Sequence, residues 1–240
     1  IFDDLTPILK QFSHLLRTIP ANGQVVFHEN DQTTKHLVDK ENWFDVYSIG
    51  NDKQFYYDET KNLFIFNGKE YDLDELPFFG EHNYKNALMA MCLAYLCDVP
   101  YEESFQALKN YTGVKRRLEV IFHGNTHLVY DDFAHHPTAI EAVSEAIKSK
   151  YASKMIGIIE LASNTMKSGR HGNTLIDSTK HFDRIYFFDH ENTLNDANSF
   201  SSLEKIIDDL KKVICDYETI IIMTNKDSQI ISREIIKLCN

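Results

Sequence analysis

Tyr130-Asp131-Asp132-Phe133-Ala134-His135-His136-Pro137-Thr138-Ala139-Ile140 sets two carboxylates at the end of an apolar run, two imidazoles after a two-residue spacer, and a proline at the head of a helical pattern. A strand, a short polar loop and a helix N-terminus in that order read as one βα unit. Pro137 suits the first helical position, where its missing N–H costs no hydrogen bond. Open α/β sheets bind ligands outside the carboxyl ends of their strands, and a helix N-terminus adds free N–H groups and the positive end of a dipole. Either Asp131 or Asp132 can hold ribose hydroxyls or a hard cation, the other then being structural. His135 and His136 can donate to phosphate or move protons. A plainer reading stays open, in which Asp132 caps the turn and both histidines are exposed loop residues.

Working outward, the pattern repeats. Strands are expected at 118–122 and 127–130, a helix at 137–150 with Ala139, Ala142, Val143 and Ile147 on one face, and an apolar strand at 155–159. A polar loop at 163–173, a short helix at 175–181, a strand at 185–188, a helix at 201–213, a strand at 219–223 and a helix at 228–238 complete the chain. Such alternation implies an α/β fold with a mostly parallel sheet covered on both faces. Upstream, helices are expected at 2–18, 31–39, 83–96 and 101–111, with strands at 24–28, 43–49, 55–57, 63–66 and 70–73. Thr112-Gly113 stops the last of these helices, so two domains are expected, 1–112 and 113–240.

The 240 residues are 43% hydrophobic and carry a formal charge of −11, which fits a folded chain and disfavours nucleic acid or an anionic membrane as partner. No apolar run approaches the roughly 20 residues that span a bilayer, so a cytoplasmic protein is expected. Cys92, Cys97, Cys215 and Cys239 form no Cys-x-x-Cys pair and read as free, buried thiols in a reducing compartment.

Three further blocks carry chemistry. In Gly80-Glu81-His82-Asn83, with Asn86 following, Asn83 and Asn86 lie one turn apart on a helix face, where two amides can read a purine edge; capping of the helix by Asn83 is the competing reading. Lys115-Arg116-Arg117-Leu118-Glu119 sets arginines at the domain junction, suited to clamping a phosphate or stacking on a base, or simply a solvated basic patch. Ser163-Asn164-Thr165-Met166-Lys167-Ser168-Gly169-Arg170-His171-Gly172 is a polar, cation-bearing loop suited to carboxylates or phosphates of a second substrate.

Together these four blocks, in this order, resemble the later part of the Mur ligases, ATP-dependent enzymes that join amino acids or peptides to UDP-N-acetylmuramic acid. Gly80-x-His82-Asn83-x-x-Asn86 is similar to the adenine-side motif of their central domain, Arg117-x-Glu119 to the start of their C-terminal domain, and residues 130–140 to that domain's nucleotide loop. Phe133-Ala134 and Ser163-Asn164-Thr165-Met166-Lys167 resemble the branch that returns the tripeptide L-Ala-γ-D-Glu-meso-diaminopimelate to UDP-N-acetylmuramate during peptidoglycan recycling. The resemblance implies part of a Mur ligase central domain followed by a Rossmann-like C-terminal domain that binds the acceptor peptide. It implies ATP with Mg²⁺ as cofactors and an acyl phosphate intermediate. Asn83 and Asn86 would face adenine, Arg117 the phosphates or sugar, and Asp132 the ribose. His135 and His136 would lie near the reacting centre, and Ser163, Asn164, Thr165 and Lys167 would face the peptide. No metal ligand in this chain is implied.

The sequence departs from the family pattern in several places. It holds no Gly-Lys-Thr/Ser phosphate loop, no UDP-binding domain, and none of the family's magnesium-binding histidine before an Ile-Phe-like pair; Leu161-Ala162 stand where the branch has Pro-Arg; and Thr224-Asn225-Lys226-Asp227 replaces a Gly-rich turn. The chain therefore reads as starting inside the central domain, and these 240 residues alone are expected to be inactive. The competing functions are addition of L-alanine to the same nucleotide, a metal-dependent phosphoesterase built on Asp131, Asp132, His135 and His136, and a non-catalytic nucleotide-binding module.

Overall fold

The computed structural model describes residues 4–41, 43–50, 53–162 and 172–240. It forms two compact units, residues 1–111 and 112–240.

The first unit opens with α1 (Leu5–Leu16), capped by Asp4, whose carboxylate accepts the Thr6 N–H. It continues through β1 (Gln24–His28), α2 (Gln32–Asp39) and β2 (Asp45–Ile49), with β1 and β2 paired in parallel. Asp31 caps α2 by accepting from Thr33 and Thr34. β3 (Phe55–Asp58), β4 (Leu63–Phe66) and β5 (Lys69–Asp72) make an antiparallel meander, and α3 (Glu81–Tyr95) and α4 (Tyr101–Lys109) close the unit. Phe55, Phe64, Phe66, Leu88, Met91 and Tyr101 form its core, where Phe66 and Tyr101 stack at 4.0 Å.

The second unit is one six-stranded sheet. Its elements are β6 (Glu119–His123), β7 (Leu128–Asp132), α5 (Pro137–Lys150), β8 (Met155–Glu160), α6 (Gly172–Asp177), β9 (Arg184–Phe188), β10 (Ser199–Phe200), α7 (Leu203–Leu210), β11 (Thr219–Met223) and α8 (Gln229–Cys239). The strand order is β10-β9-β8-β11-β7-β6, parallel throughout except for β6, which runs antiparallel to β7 through a bulge between Val120 and Phe122. The last strand, β11, returns to insert between β7 and β8. Every residue of β8 and β11 is buried, which is why both read as unbroken apolar runs rather than alternating ones.

Several expectations shift. Asp131 and Asp132 close the strand as expected, as the last two residues of β7, which runs two residues past the expected end at 130. α5 buries Ile140, Val143, Ala146 and Ile147, so its inner face is turned from the expected one, with Ala139 and Ala142 only partly covered. The two-residue strand β10 was not expected, its pairing being only Ser199 and Phe200 on β9. All four cysteines are free, as expected, but only Cys92 is buried; Cys97 and Cys215 are exposed. Burial pushes the Cys92 thiol up to about 11, away from thiolate reactivity.

Gly157 sits mid-strand in β8, and a Cβ there would lie 2.7 Å from Ile185 Cδ1 and 2.9 Å from Phe182 Cε1. Gly157→Ala is expected to cost about 1–3 kcal/mol through overpacking, read as a lower urea midpoint. In the first unit, the Glu29 carboxylate takes a 2.5 Å hydrogen bond from Lys35, and that bond, with one from Ser48, holds it down to about 2. Its contribution is therefore complete above its ordinary value of 4.5 and is lost as pH falls towards about 2. Unfolding followed by the fluorescence of Trp43, the single tryptophan, should show this acid loss in the native chain and a flatter profile in Glu29→Gln.

Candidate functional site

Because β7, β8, β9 and β11 are parallel, their carboxyl ends form one edge, and most of the second unit's chemistry-bearing side chains gather there. Asp131 is 4% exposed, and its Oδ2 accepts from Arg116 Nε at 3.2 Å and Ser228 Oγ at 2.6 Å. Arg116 also donates through Nη2 to the Thr224 carbonyl at 2.6 Å. One guanidinium thus ties the entry of the unit to β7 and to the end of β11. Asp132, 2% exposed, accepts the Leu118 N–H on Oδ2 and the Ala134 N–H on Oδ1, both at 2.7 Å. The two carboxylates read from the sequence as one cluster are thus engaged separately, one by side chains and one by main-chain donors.

Those bonds shape the entry turn. Arg116 and Leu118 both have left-handed backbones, φ 59° and 48°, a conformation that costs non-glycine residues of order 1–3 kcal/mol unless neighbours hold it. Here the Arg116 N–H goes to Glu119 Oε2 at 2.8 Å, and the Leu118 N–H to Asp132. Between them Arg117 is exposed. Phe133 lies under both guanidinium groups, 5.2 Å from Arg116 and 5.7 Å from Arg117, a cation–π arrangement that orients charge without neutralising it.

His135 packs edge-on against Phe133 and faces the Phe133 carbonyl through Nδ1 at 2.9 Å. A carbonyl only accepts, so Nδ1 carries the proton; Nε2 is then an acceptor in the neutral ring and a donor in the protonated one. His136 is exposed at the cap position of α5, its Nδ1 3.2 Å from Thr138 Oγ1. Beside that first turn lies an open groove of about 640 Å³, lined by His136, Thr138, Glu141, Thr174, Asp177 and Lys180.

In the first unit, Gly80, not Asn83, caps α3, with φ 95°. Asn83 sits three residues in, half-buried, donating Nδ2 to the Phe79 carbonyl at 2.7 Å, and Asn86 is exposed one turn on. Ser163, Asn164, Thr165 and Lys167 lie outside the described residues. Among the described residues no group of three or more His, Cys, Asp or Glu could hold a metal ion, and Asp131, Asp132, His135 and His136 form no such group, which removes the support for a phosphoesterase centre.

Sequence reasoning missed Arg116 as the anchoring arginine, together with its partner Thr224 and the second donor to Asp131, Ser228, each about a hundred residues away. It also missed the hydrogen-bonded pair of Glu160 at the end of β8 and His190 after β9, at 2.8 Å. Only the position of Glu160 at a strand end signalled it.

An open, mostly parallel α/β sheet with its polar groups at the strand carboxyl ends defines a ligand-binding protein of the doubly wound class. The chain belongs to the Mur ligase family: the Mur ligase middle domain matches residues 1–94 and the Mur ligase glutamate ligase domain residues 116–234. It is 34% identical over 198 residues to the UDP-N-acetylmuramate–L-alanyl-gamma-D-glutamyl-meso-2,6-diaminoheptandioate ligase of Haemophilus influenzae, covering 80% of this chain and 44% of that protein. The Escherichia coli protein of the same name is 34% identical over 193 residues, 78% of this chain and 42% of its own length. A crystal structure of a murein peptide ligase from Psychrobacter arcticus superposes on all of this chain and 56% of its own, with TM-score 0.70 and 29% identity. The chain thus spans a little under half the length of the curated relatives it matches. No helix among the described residues is long and apolar enough to cross a membrane.

The geometry separates the two arginines. Arg116→Ala leaves the buried Asp131 carboxylate without its countercharge and is expected to cost about 3–5 kcal/mol, whereas Arg117→Ala should stay within about 0.5 kcal/mol of the native chain. Thermal unfolding of the two variants checks this.

Proposed function

We propose that these residues belong to a cytoplasmic ATP-dependent ligase that joins L-Ala-γ-D-Glu-meso-diaminopimelate to UDP-N-acetylmuramate in peptidoglycan recycling. The reaction would pass through an acyl phosphate of the lactyl carboxylate: the tripeptide amine attacks its carbonyl carbon, the carbon–oxygen bond to phosphate breaks, and an amide and inorganic phosphate result. The observation that carries the reading is the exposed Arg117 over Phe133, beside His135 and the first turn of α5. That group offers a fixed cation, a titratable donor and helix N–H groups to a polyanion. The named relatives support the substrates.

Within this proposal Arg117 contacts phosphate or sugar, and His135 and His136 lie near the transferring phosphoryl group. Asp132 fixes the loop through bonds from the Leu118 and Ala134 N–H groups and is assigned to the ribose hydroxyls by resemblance. In the other unit Asn83 and Asn86 present amides to adenine. Ser163, Asn164, Thr165 and Lys167 are assigned to the acceptor peptide by resemblance. The described side chains do not fit a resident Mg²⁺, since among them no group of three or more His, Cys, Asp or Glu comes together to hold one; no step is routed through the ion.

The test is phosphate release by the protein expressed from its complete gene, given ATP, UDP-N-acetylmuramate and either the tripeptide or L-alanine. Release that depends on the tripeptide is expected, and Arg117→Ala should lower kcat/KM for ATP about tenfold or more, the loss of one charge-assisted contact. Release with L-alanine in place of the tripeptide would reassign the chain to the alanine-adding reaction, and release with neither would overturn both. The 240 residues alone are expected to show no turnover.

A further inference from the structure

The Glu160–His190 pair sits on the same sheet edge and has no part in the site just described. Glu160 ends the fully buried strand β8, and only 10% of its side chain is exposed, against 44% for His190. Both carboxylate oxygens have assigned donors. Oε2 accepts from Thr224 Oγ1, while Thr224 itself accepts the Lys226 N–H at 3.0 Å, so its hydroxyl proton must point to Glu160. Oε1 faces His190 Nε2 at 2.8 Å. A carboxylate only accepts, so Nε2 carries the proton, and the free lone pair of the unprotonated ring is on Nδ1. Phe188 packs against the imidazole at 4.0 Å and holds its plane. Glu160 has no Lys or Arg partner among the described residues. The result is a fixed imidazole with 44% of its side chain exposed, backed by a carboxylate only 10% exposed. Such a pair suits a cationic hydrogen-bond donor.

We propose that His190, held by Glu160, is a subsite for a primary ammonium group of the acceptor, the distal one of its diaminopimelate residue. This rests on the function proposed above. In the strand order, β9 is three spacings from β7, about 14 Å. An acceptor whose attacking amine lies at the β7 loop therefore brings its far end, not its reacting end, to His190. Three extended residues span roughly 10 Å, and the γ-linkage and the diaminopimelate side chain add the remainder. His190 is thus a specificity residue for the acceptor's end group, and Glu160 is its positioning residue.

The test is calorimetric titration of the 240-residue chain with L-Ala-γ-D-Glu-meso-diaminopimelate and with the same tripeptide acetylated on the distal amine. Acetylation should weaken binding to the native chain about 10–100-fold, the span of one hydrogen bond to a charged group. His190→Ala should weaken the free tripeptide by a similar factor and bind both peptides equally. In Glu160→Gln the amide oxygen stays with the Thr224 hydroxyl, so the amide NH₂ faces His190 Nε2 and moves the ring proton to Nδ1; the discrimination should vanish with the imidazole still present. Nitrogen NMR of the histidine ring reads this tautomer in both chains. Tight tripeptide binding that acetylation leaves unchanged, or an Nδ1–H ring in the native chain, overturns the His190 assignment and leaves the ligase reading intact. A native chain that binds neither peptide overturns the acceptor site itself, and this subsite with it. A His190→Ala chain that still prefers the free amine also rules it out.

Discussion

The second unit depends on a buried charge pair. Asp131 lies in a central strand at 4% exposure, where an unpaired carboxylate would be costly. Arg116 answers that charge and, with its remaining N–H groups, ties down the Thr224 carbonyl, while Ser228 at the head of α8 closes on the same carboxylate oxygen. One ion pair therefore joins the first residues of the unit, the strand next to its β6 edge and the turn into its last helix. Such a pair adds little net stability compared with apolar packing. Its consequence is geometric: it holds a left-handed turn that leaves Arg117 exposed over Phe133 while Arg116 is drawn in.

The sheet beneath supplies rigidity. β8 and β11 are buried along their whole length, each large aliphatic side chain contributing about 1.5–3 kcal/mol on burial. Insertion of β11 between β7 and β8 brings Thr224 between the ends of two strands, where its main chain meets Arg116 and its hydroxyl meets Glu160. The Arg116–Asp131 pair and the Glu160–His190 pair are thus two stations on one edge, linked through a single threonine.

Much of this was legible in the chain. Residues 137–150, 219–223 and 24–28 form the helix and strands their periodicity implies, because uniform burial leaves an unbroken apolar run and a half-buried helix a stripe. Where reading failed, the cause was tertiary. Asp131 and Asp132 are adjacent in sequence, yet alternation along a strand sends their side chains to opposite faces and different partners. Arg116 and Arg117 are the same residue type side by side, and only the turn between them decides which is buried. Cys97 and Cys215 have apolar residues nearby in sequence but are exposed, since Cys97 falls in the turn after α3 and Cys215 in a single 3-10 turn, where apolar neighbours do not set which side chain meets the core.

By itself the sequence determined the class of fold, the strand–loop–helix at residues 130–140, and the family, because these follow from local periodicity, turn chemistry and contiguous motifs. Only the tertiary structure decided which carboxylate answers which donor, that Arg116 anchors while Arg117 is presented, and that Glu160 and His190, thirty residues apart, are hydrogen-bonded. Those outcomes depend on strand order, and strand order is set by how buried faces pack across the whole sheet rather than by any stretch of chain alone.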